Sequence, residues 1–250
     1  ETLEINYHGL GRIVKEATRY NHKVKIYQAS SSEMFGNSQE TKQDELTPFS
    51  PVSPYAISKL KAHEDYIVTY REKYKFFLCS GILFNHESPR RGKQFVTRKI
   101  SHSLAKIKLG LQDSFELGNL DVRKDWGYAK DYVEAMWLIL QQKKPQDFVI
   151  ATGKSHSVRD FVNSAAKALG MSLTWHGNGL GEVARDEKGN VIIKINPKYY
   201  RPQDVKATLG DSSKARKLLG WKPKMSFGRL AKLMAEADID ELRRLSKDNK

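Results

Sequence analysis

Phe76-Phe77-Leu78-Cys79-Ser80-Gly81-Ile82-Leu83-Phe84 is a nearly unbroken apolar run. It is too short to span a bilayer, and it suits a strand buried on both faces, as at the centre of a parallel sheet. Upstream, Ile57, Leu60, Ile67 and Val68 recur at helical spacing, with Ser53 as N-cap and Pro54 at the first helical position. Earlier still, Val24 to Ala29 reads as a short strand that runs into the polar loop Ser30 to Glu33 and a Gly36-Asn37 turn. Downstream, Val96, Ile100, Leu104 and Ile107 mark a helix closed by Gly110, and Tyr132 to Gln142 a helix capped by Asp131. Asp147 to Thr152 is a strand, and Ser157 with Asp160 forms a capping box for a helix ending at Gly170. A helix from Leu3 to Tyr20, a Lys188-Gly189-Asn190 turn, a short helix from Lys214 to Leu219 and a terminal helix complete the pattern. Alternation of strands and helices predicts an α/β architecture with a mostly parallel sheet.

With 250 residues and 39% hydrophobic content, the chain can bury one core and a smaller lobe. No leader of basic then apolar residues opens it and no long apolar segment interrupts it, which predicts a cytoplasmic protein without a membrane partner. Its single cysteine, Cys79, excludes an internal disulfide and a thiol-rich metal site, and no metal is expected. The formal charge of +14 needs an explanation. Between Ser88 and Gly110 stand Arg90, Arg91, Lys93, Arg98, Lys99, Lys106 and Lys108, with no acid among them. Such a run attracts polyanions: nucleic acid, or a pyrophosphate cofactor and a nucleotide substrate. The basic C-terminal tail reads as a solvated helix face.

Tyr55 and Lys59 stand four apart on the capped helix, so phenol and ammonium share one face. A neighbouring cation lowers the pKa of a tyrosine and makes it a usable base at neutral pH. The spacing alone equally fits an ordinary surface pair. The wider pattern decides between them: Tyr27-Gln28-Ala29-Ser30-Ser31-Ser32-Glu33-Met34-Phe35-Gly36, then Ser53-Pro54-Tyr55-Ala56-Ile57-Ser58-Lys59. This resembles the extended short-chain dehydrogenase/reductase family, in which a loop hydroxyl and the tyrosine share the proton of a sugar hydroxyl and the lysine holds the nicotinamide ribose.

Within that family the chain resembles the GDP-mannose 4,6-dehydratases. The resemblance is carried by Asn85-His86-Glu87-Ser88-Pro89-Arg90-Arg91-Gly92, Phe95-Val96-Thr97-Arg98-Lys99-Ile100, Leu117 to Asp121, Arg123 to Gly127, and Tyr200-Arg201-Pro202 with Asp204. It implies Ser31 as hydroxyl donor, Glu33 as second acid/base, Tyr55 as phenolate base and Lys59 as its partner. Tyr55, Lys59, His86 and Arg91 would contact NADP, and Asn85, Lys99, Arg123, Arg201 and Asp204 the GDP-mannose substrate. Ser31 departs from the family's usual threonine and keeps the hydroxyl; Asp204 departs from a glutamate and shortens the carboxylate. Without the resemblance, His86 reads equally as a core-edge histidine, Trp126 as packing, and Arg90 and Arg91 as a solvated corner.

The Gly-x-Gly-x-x-Gly turn that cradles a pyrophosphate between a first strand and helix has no counterpart here. Gly9-Leu10-Gly11 lies in a helical pattern with Val14 at the third glycine's place, and Asn6 to Gly9 resembles a helix well inside an intact member. The expectation is a partial NAD(P)-binding Rossmann-like parallel sheet, first strands absent, with a smaller C-terminal α+β substrate lobe. Residues 1–87 and 120–153 are expected in the dinucleotide-binding part, 88–119 and 154–250 in the lobe. Family membership implies a homo-oligomer, dimer or tetramer, with a separate chain as one source of the missing segment. The competing readings are a nucleotide-sugar epimerase or reductase, and a noncatalytic truncated paralogue; the former generally lack a glutamate at position 33. Nucleic acid is the disfavoured partner.

Overall fold

The computed structural model describes residues 1–200 and 208–248, with side chains through 246. The strands, in chain order, are β1 (Lys25–Ser31), β2 (Phe77–Leu83), β3 (Asn85–Glu87), β4 (Phe115–Leu117), β5 (Arg123–Tyr128), β6 (Phe148–Ile150), β7 (Ser155–Ser157), β8 (Thr174–His176), β9 (Val183–Arg185) and β10 (Val191–Ile195). The helices are α1 (Gly9–Tyr20), α2 (Pro54–Ala62), α3 (Thr69–Tyr74), α4 (Val96–Lys108), α5 (Ala129–Leu140), α6 (Val158–Ala168), α7 (Ser213–Leu219) and α8 (Phe227–Asp248). Glu4–His8, before α1, and His63–Val68, between α2 and α3, are wound as π-helix.

Two compact units result: Glu1–His86, Asp125–Lys154 and Thr208–Lys224 form the first, Glu87–Lys124, Ser155–Ala207 and Met225–Lys250 the second. In the first, β1, β2 and β6 make a parallel sheet in the order β1-β2-β6, with Ala29 opposite Gly81 and Ile82 opposite Val149. The central strand β2 is buried on both faces, as its apolar run requires. Leu78 packs with Leu10, Val14, Ala62 and Ile67 on one side. Cys79 and Leu83 pack with Tyr132, Ala135, Ile139, Phe148, Ile150, Ala215 and Trp221 on the other. The sheet therefore carries helices on both faces, a doubly covered Rossmann-like arrangement. Burial pushes the Cys79 thiol up to about 12.

Two details depart from the sequence reading. Asp131 is not the N-cap of its helix: α5 starts at Ala129 with Tyr128 at the cap. The Asp131 carboxylate instead accepts the Lys224 backbone N–H at 2.9 Å, and its carbonyl accepts the Trp221 indole N–H at 2.7 Å. Those bonds, with Ala215 and Trp221 in the core, put residues 208–224 in the first unit, where the sequence reading groups them with the lobe.

The second unit contains a four-stranded sheet in the order β4-β10-β9-β8, with β10 parallel to β4 and antiparallel to β9. Asp186 accepts the backbone N–H groups of Lys188 and Asn190, and Gly189 takes φ +83°, closing the turn between β9 and β10. Helices α4, α6 and α8 pack on one another. The Ser157–Asp160 capping box opens α6 as its sequence predicts. Among the described residues no helix is long and apolar enough to cross a membrane.

Candidate active site

In the first unit β1 ends at Ser31, whose Oγ accepts the Glu33 N–H at 3.2 Å and so opens the single 3₁₀ turn Ser32–Phe35. The buried side chains of Met34 and Phe35 pin that turn into the core with Ile82, Phe84 and Val149, while Glu33 itself is exposed. Gly36 follows at φ +49°, where an added Cβ would sit 1.8 Å from the Ser50 carbonyl oxygen, so only glycine fits. The exit from the turn is thereby clamped: Asn37 N–H donates to the Ser50 carbonyl and Ser50 N–H to the Met34 carbonyl.

Helix α2 begins as the sequence predicts. Ser53 Oγ accepts the Ala56 N–H at 3.1 Å and Pro54 occupies the first turn. This cap sets the phase of the helix, so that Tyr55 is 42% exposed while Lys59 is half-buried and points back at β1. The Lys59 ammonium donates to the Ala29 carbonyl at 3.1 Å and stands 5.7 Å from the centre of the Tyr55 ring. Burial holds the Lys59 pKa below its ordinary value. One lysine thus joins the tyrosine's helix to the strand that ends in Ser31, and Ser31, Glu33, Tyr55 and Lys59 all belong to one unit.

Asn85 and His86 follow β2, both partly buried. The His86 Nδ1 lies 2.9 Å from the Phe84 carbonyl, which can only accept, so Nδ1 carries the proton. Its ring stacks on Tyr132 with centroids 4.9 Å apart. Trp126 is buried and packs.

The second unit holds the other basic candidates. The Arg91 guanidinium lies 3.7 Å from the centre of the Phe95 ring, and its Nε is 3.3 Å from the carboxylate of buried Glu87. Thr97 Oγ1 donates to the same carboxylate at 2.6 Å. Arg98 is buried, pairing with Asp238 and Glu241 at 2.7 Å each and donating to the Arg91 carbonyl at 3.3 Å. Lys99 lies 4.0 Å from the centre of the Tyr199 ring; burial depresses its pKa, against the pull of Glu116. Arg123 donates to the Ser155 carbonyl at 2.7 Å. Arg201 and Asp204 lie outside the described residues. Glu87 and Asp238, which hold the arginines, went unassigned in the sequence reading. Glu87 at least stands inside a quoted motif, whereas nothing local marks Asp238.

A family model described as GDP-mannose 4,6 dehydratase matches residues 1–234. The chain belongs to that family. It is 54% identical over 240 residues to GDP-mannose 4,6 dehydratase 2 of Caenorhabditis elegans, covering 95% of this chain and 63% of that protein. To the GDP-mannose 4,6 dehydratase of Homo sapiens it is 52% identical over 223 residues, covering 89% of this chain and 60% of the relative. The chain therefore spans about six-tenths of the length of these curated relatives. Among solved structures, RMD from Pseudomonas aeruginosa complexed with NADPH superposes with a TM-score of 0.80 at 19% identity, covering 95% of this chain and 74% of that one. The dTDP-glucose 4,6-dehydratase of Bacillus anthracis in complex with NAD gives 0.78 at 17% identity, covering 96% and 70%. At such identities these two structures establish the fold alone, and they agree with the Rossmann-like first unit.

Proposed function

We propose that this GDP-mannose 4,6-dehydratase family chain serves the dehydration of GDP-mannose to GDP-4-keto-6-deoxymannose, with NADP as cofactor. The first unit is assigned to the dinucleotide and the second to the nucleotide sugar, within a cytoplasmic dimer or tetramer. The observation that carries this reading is the Lys59 bridge between Tyr55's helix and the Ser31–Glu33 turn.

The donor set fits a nicotinamide ribose. The one hydrogen bond of the Lys59 ammonium among the described residues goes to Ala29, leaving two N–H groups for ribose hydroxyls. Tyr55 and His86, in the same unit, complete that set; Arg91, which the resemblance also assigns to the cofactor, belongs to the second unit. Bound there, the cofactor would supply the hydride acceptor for the sugar C4 as NADP⁺ and, once reduced, the hydride donor for C6 as NADPH.

The chain's own groups handle the protons. Tyr55, as phenolate, takes the proton from the 4-hydroxyl, with Ser31 sharing the hydrogen bond. The resulting ketone acidifies the C5 hydrogen. Glu33, exposed at the end of β1, takes that proton and delivers one to the C6 hydroxyl, which leaves as water. Asn85, Lys99, Arg123, Arg201 and Asp204 are assigned to the substrate.

Glu33→Gln tests the reading. In a protein that carries this chain together with a dinucleotide-binding turn, the variant should retain folding and cofactor binding, lose roughly 10²-fold or more in turnover, and still accumulate NADPH absorbance without exchange of the C5 hydrogen into deuterated water. Normal C5 exchange and product formation in the variant would remove Glu33 from the mechanism and favour an epimerase or reductase.

A further inference from the structure

Beneath the candidate site, the first unit buries a chain of polar side chains that the reaction above does not use. Ser30 Oγ, next to Ser31, donates to Ser80 Oγ at 3.3 Å, and Ser80 Oγ is 2.9 Å from His63 Nδ1. All three residues are buried. Behind them, Asp147 accepts the Ser80 backbone N–H at 2.7 Å and a two-pronged bond from Arg71 at 2.8 and 2.7 Å. The His63 Nε2 lies 4.0 Å from the Asp147 carboxylate, beyond hydrogen-bond reach. The Phe49 ring stands edge-on to the imidazole, with centroids 5.7 Å apart.

The placement of His63 gives this chain a use. It stands four residues after Lys59 and eight after Tyr55, on the face of the helix that turns toward the sheet. Lys59 ties the helix to β1 at Ala29; His63, one turn further on, ties it to β1 at Ser30 by way of β2. The helix changes to π winding at His63, and such wide turns inside α-helices recur at functional sites. Apolar side chains of equal volume would fill the space without desolvating an imidazole and two hydroxyls, so stability alone does not call for these groups.

We propose that His63 is a positioning residue, which sets through Ser80 and Ser30 the spacing between the Tyr55–Lys59 helix and the strand that ends in Ser31. The imidazole acts in its neutral form: burial and the Arg71 charge oppose protonation and outweigh the pull of Asp147. The role in catalysis rests on the dehydratase reading, whereas the spacing itself can be read without cofactor or sugar.

The probe is the titration of Lys59 in the 250-residue chain, followed by its ¹³Cε resonance after selective lysine labelling and assigned with Lys59→Arg. In His63→Phe the ammonium should loosen from Ala29 and titrate higher, toward an exposed lysine. In His63→Phe/Ser80→Ala/Ser30→Ala all three linked side chains lose their polar groups and none of them is left unsatisfied, so stability should recover while the Lys59 titration stays shifted. An unmoved titration in folded His63→Phe would overturn the proposal, as would a triple variant in which titration and stability recover together. Should His63→Phe fail to fold, Ser80→Ala alone removes the bridging hydroxyl, and an unmoved Lys59 in that variant would be equally decisive. None of these readouts depends on turnover, so failure of the dehydratase reading would leave them standing.

Discussion

Replacing Asp238 by alanine should be among the most damaging single changes in the second unit. The side chain of Asp238 is 0% exposed and that of its partner Arg98 5% exposed, with N···O at 2.7 Å. The same carboxylate accepts the buried Ser101 hydroxyl. Removing it leaves a desolvated guanidinium with Glu241 and the Arg91 carbonyl as remaining partners, and the Ser101 hydroxyl with only a longer bond to the Arg98 carbonyl at 3.3 Å. Breaking a buried pair by deleting one partner costs about 3–5 kcal/mol. Because Glu241 stays in place, the lower half of that range is expected, about 3 kcal/mol. Urea unfolding followed by far-ultraviolet circular dichroism measures it. The companion Arg98→Met/Asp238→Leu separates a charge left unpaired from packing lost: it should recover most of the loss, since a well-packed apolar pair avoids both desolvation penalties. A loss under about 1 kcal/mol in Asp238→Ala, the range of exposed ion pairs, would refute the buried-pair argument. So would a double variant no more stable than the single.

Two further outcomes follow from the first unit. Hydrogen bonds from Ser213, with help from Lys42, hold the Asp211 carboxyl at about 2 against an ordinary 3.8. A depressed folded-state pKa stabilises the chain above the unfolded value and is lost as pH falls, so Asp211 should contribute up to about 2 kcal/mol at neutral pH. That contribution should fade between about pH 4 and 2, reduced by screening of a carboxylate that is 30% exposed. Asp211→Asn should flatten this part of the stability-versus-pH curve, and an unchanged curve would count against the assignment. Gly36→Ala meets both a left-handed backbone and the Ser50 carbonyl oxygen, and should cost about 2–3 kcal/mol by thermal melting; a neutral result would mean that the loop after Gly36 shifts freely.

Where the sequence spoke through local rules, the structure follows it. The Phe76–Phe84 run is the doubly buried β2, Ser53 and Pro54 start α2, and Ser157 with Asp160 closes a capping box. These features depend on a few neighbouring residues, which is why they are legible. Asp131 misled because an aspartate in the first turn of a helix looks the same whether it caps that helix or reaches across to Lys224. The pairings that organise each unit are long-range: in the second, Arg98 with Asp238 spans 140 positions, and in the first, Ser80 with Asp147 spans 67 and Ser30 with Ser80 spans 50. No periodicity or spacing in a single sequence marks such partners, so Glu87, His63 and Asp238 were found only in three dimensions.

The basic run between Ser88 and Gly110 shows how far a linear charge pattern can differ from the surface it implies. In sequence it holds seven cations and no acid, and it raised nucleic acid as a partner. In the second unit three of the seven are paired with acids from outside the run: Arg91 with Glu87, Arg98 with Asp238 and Glu241, and Lys93 with Glu241. Lys99 is half-buried over Tyr199 with its charge disfavoured by desolvation. A duplex-binding stripe needs exposed cations along one face, each releasing counterions from the phosphates it meets. Helix α8, although part of a basic tail, supplies the carboxylates of Asp238 and Glu241 that pair with Arg98 and Lys93 of this run. With Arg91, Lys93 and Arg98 paired and Lys99 half-buried, the run does not form the continuous exposed stripe that its linear pattern suggests.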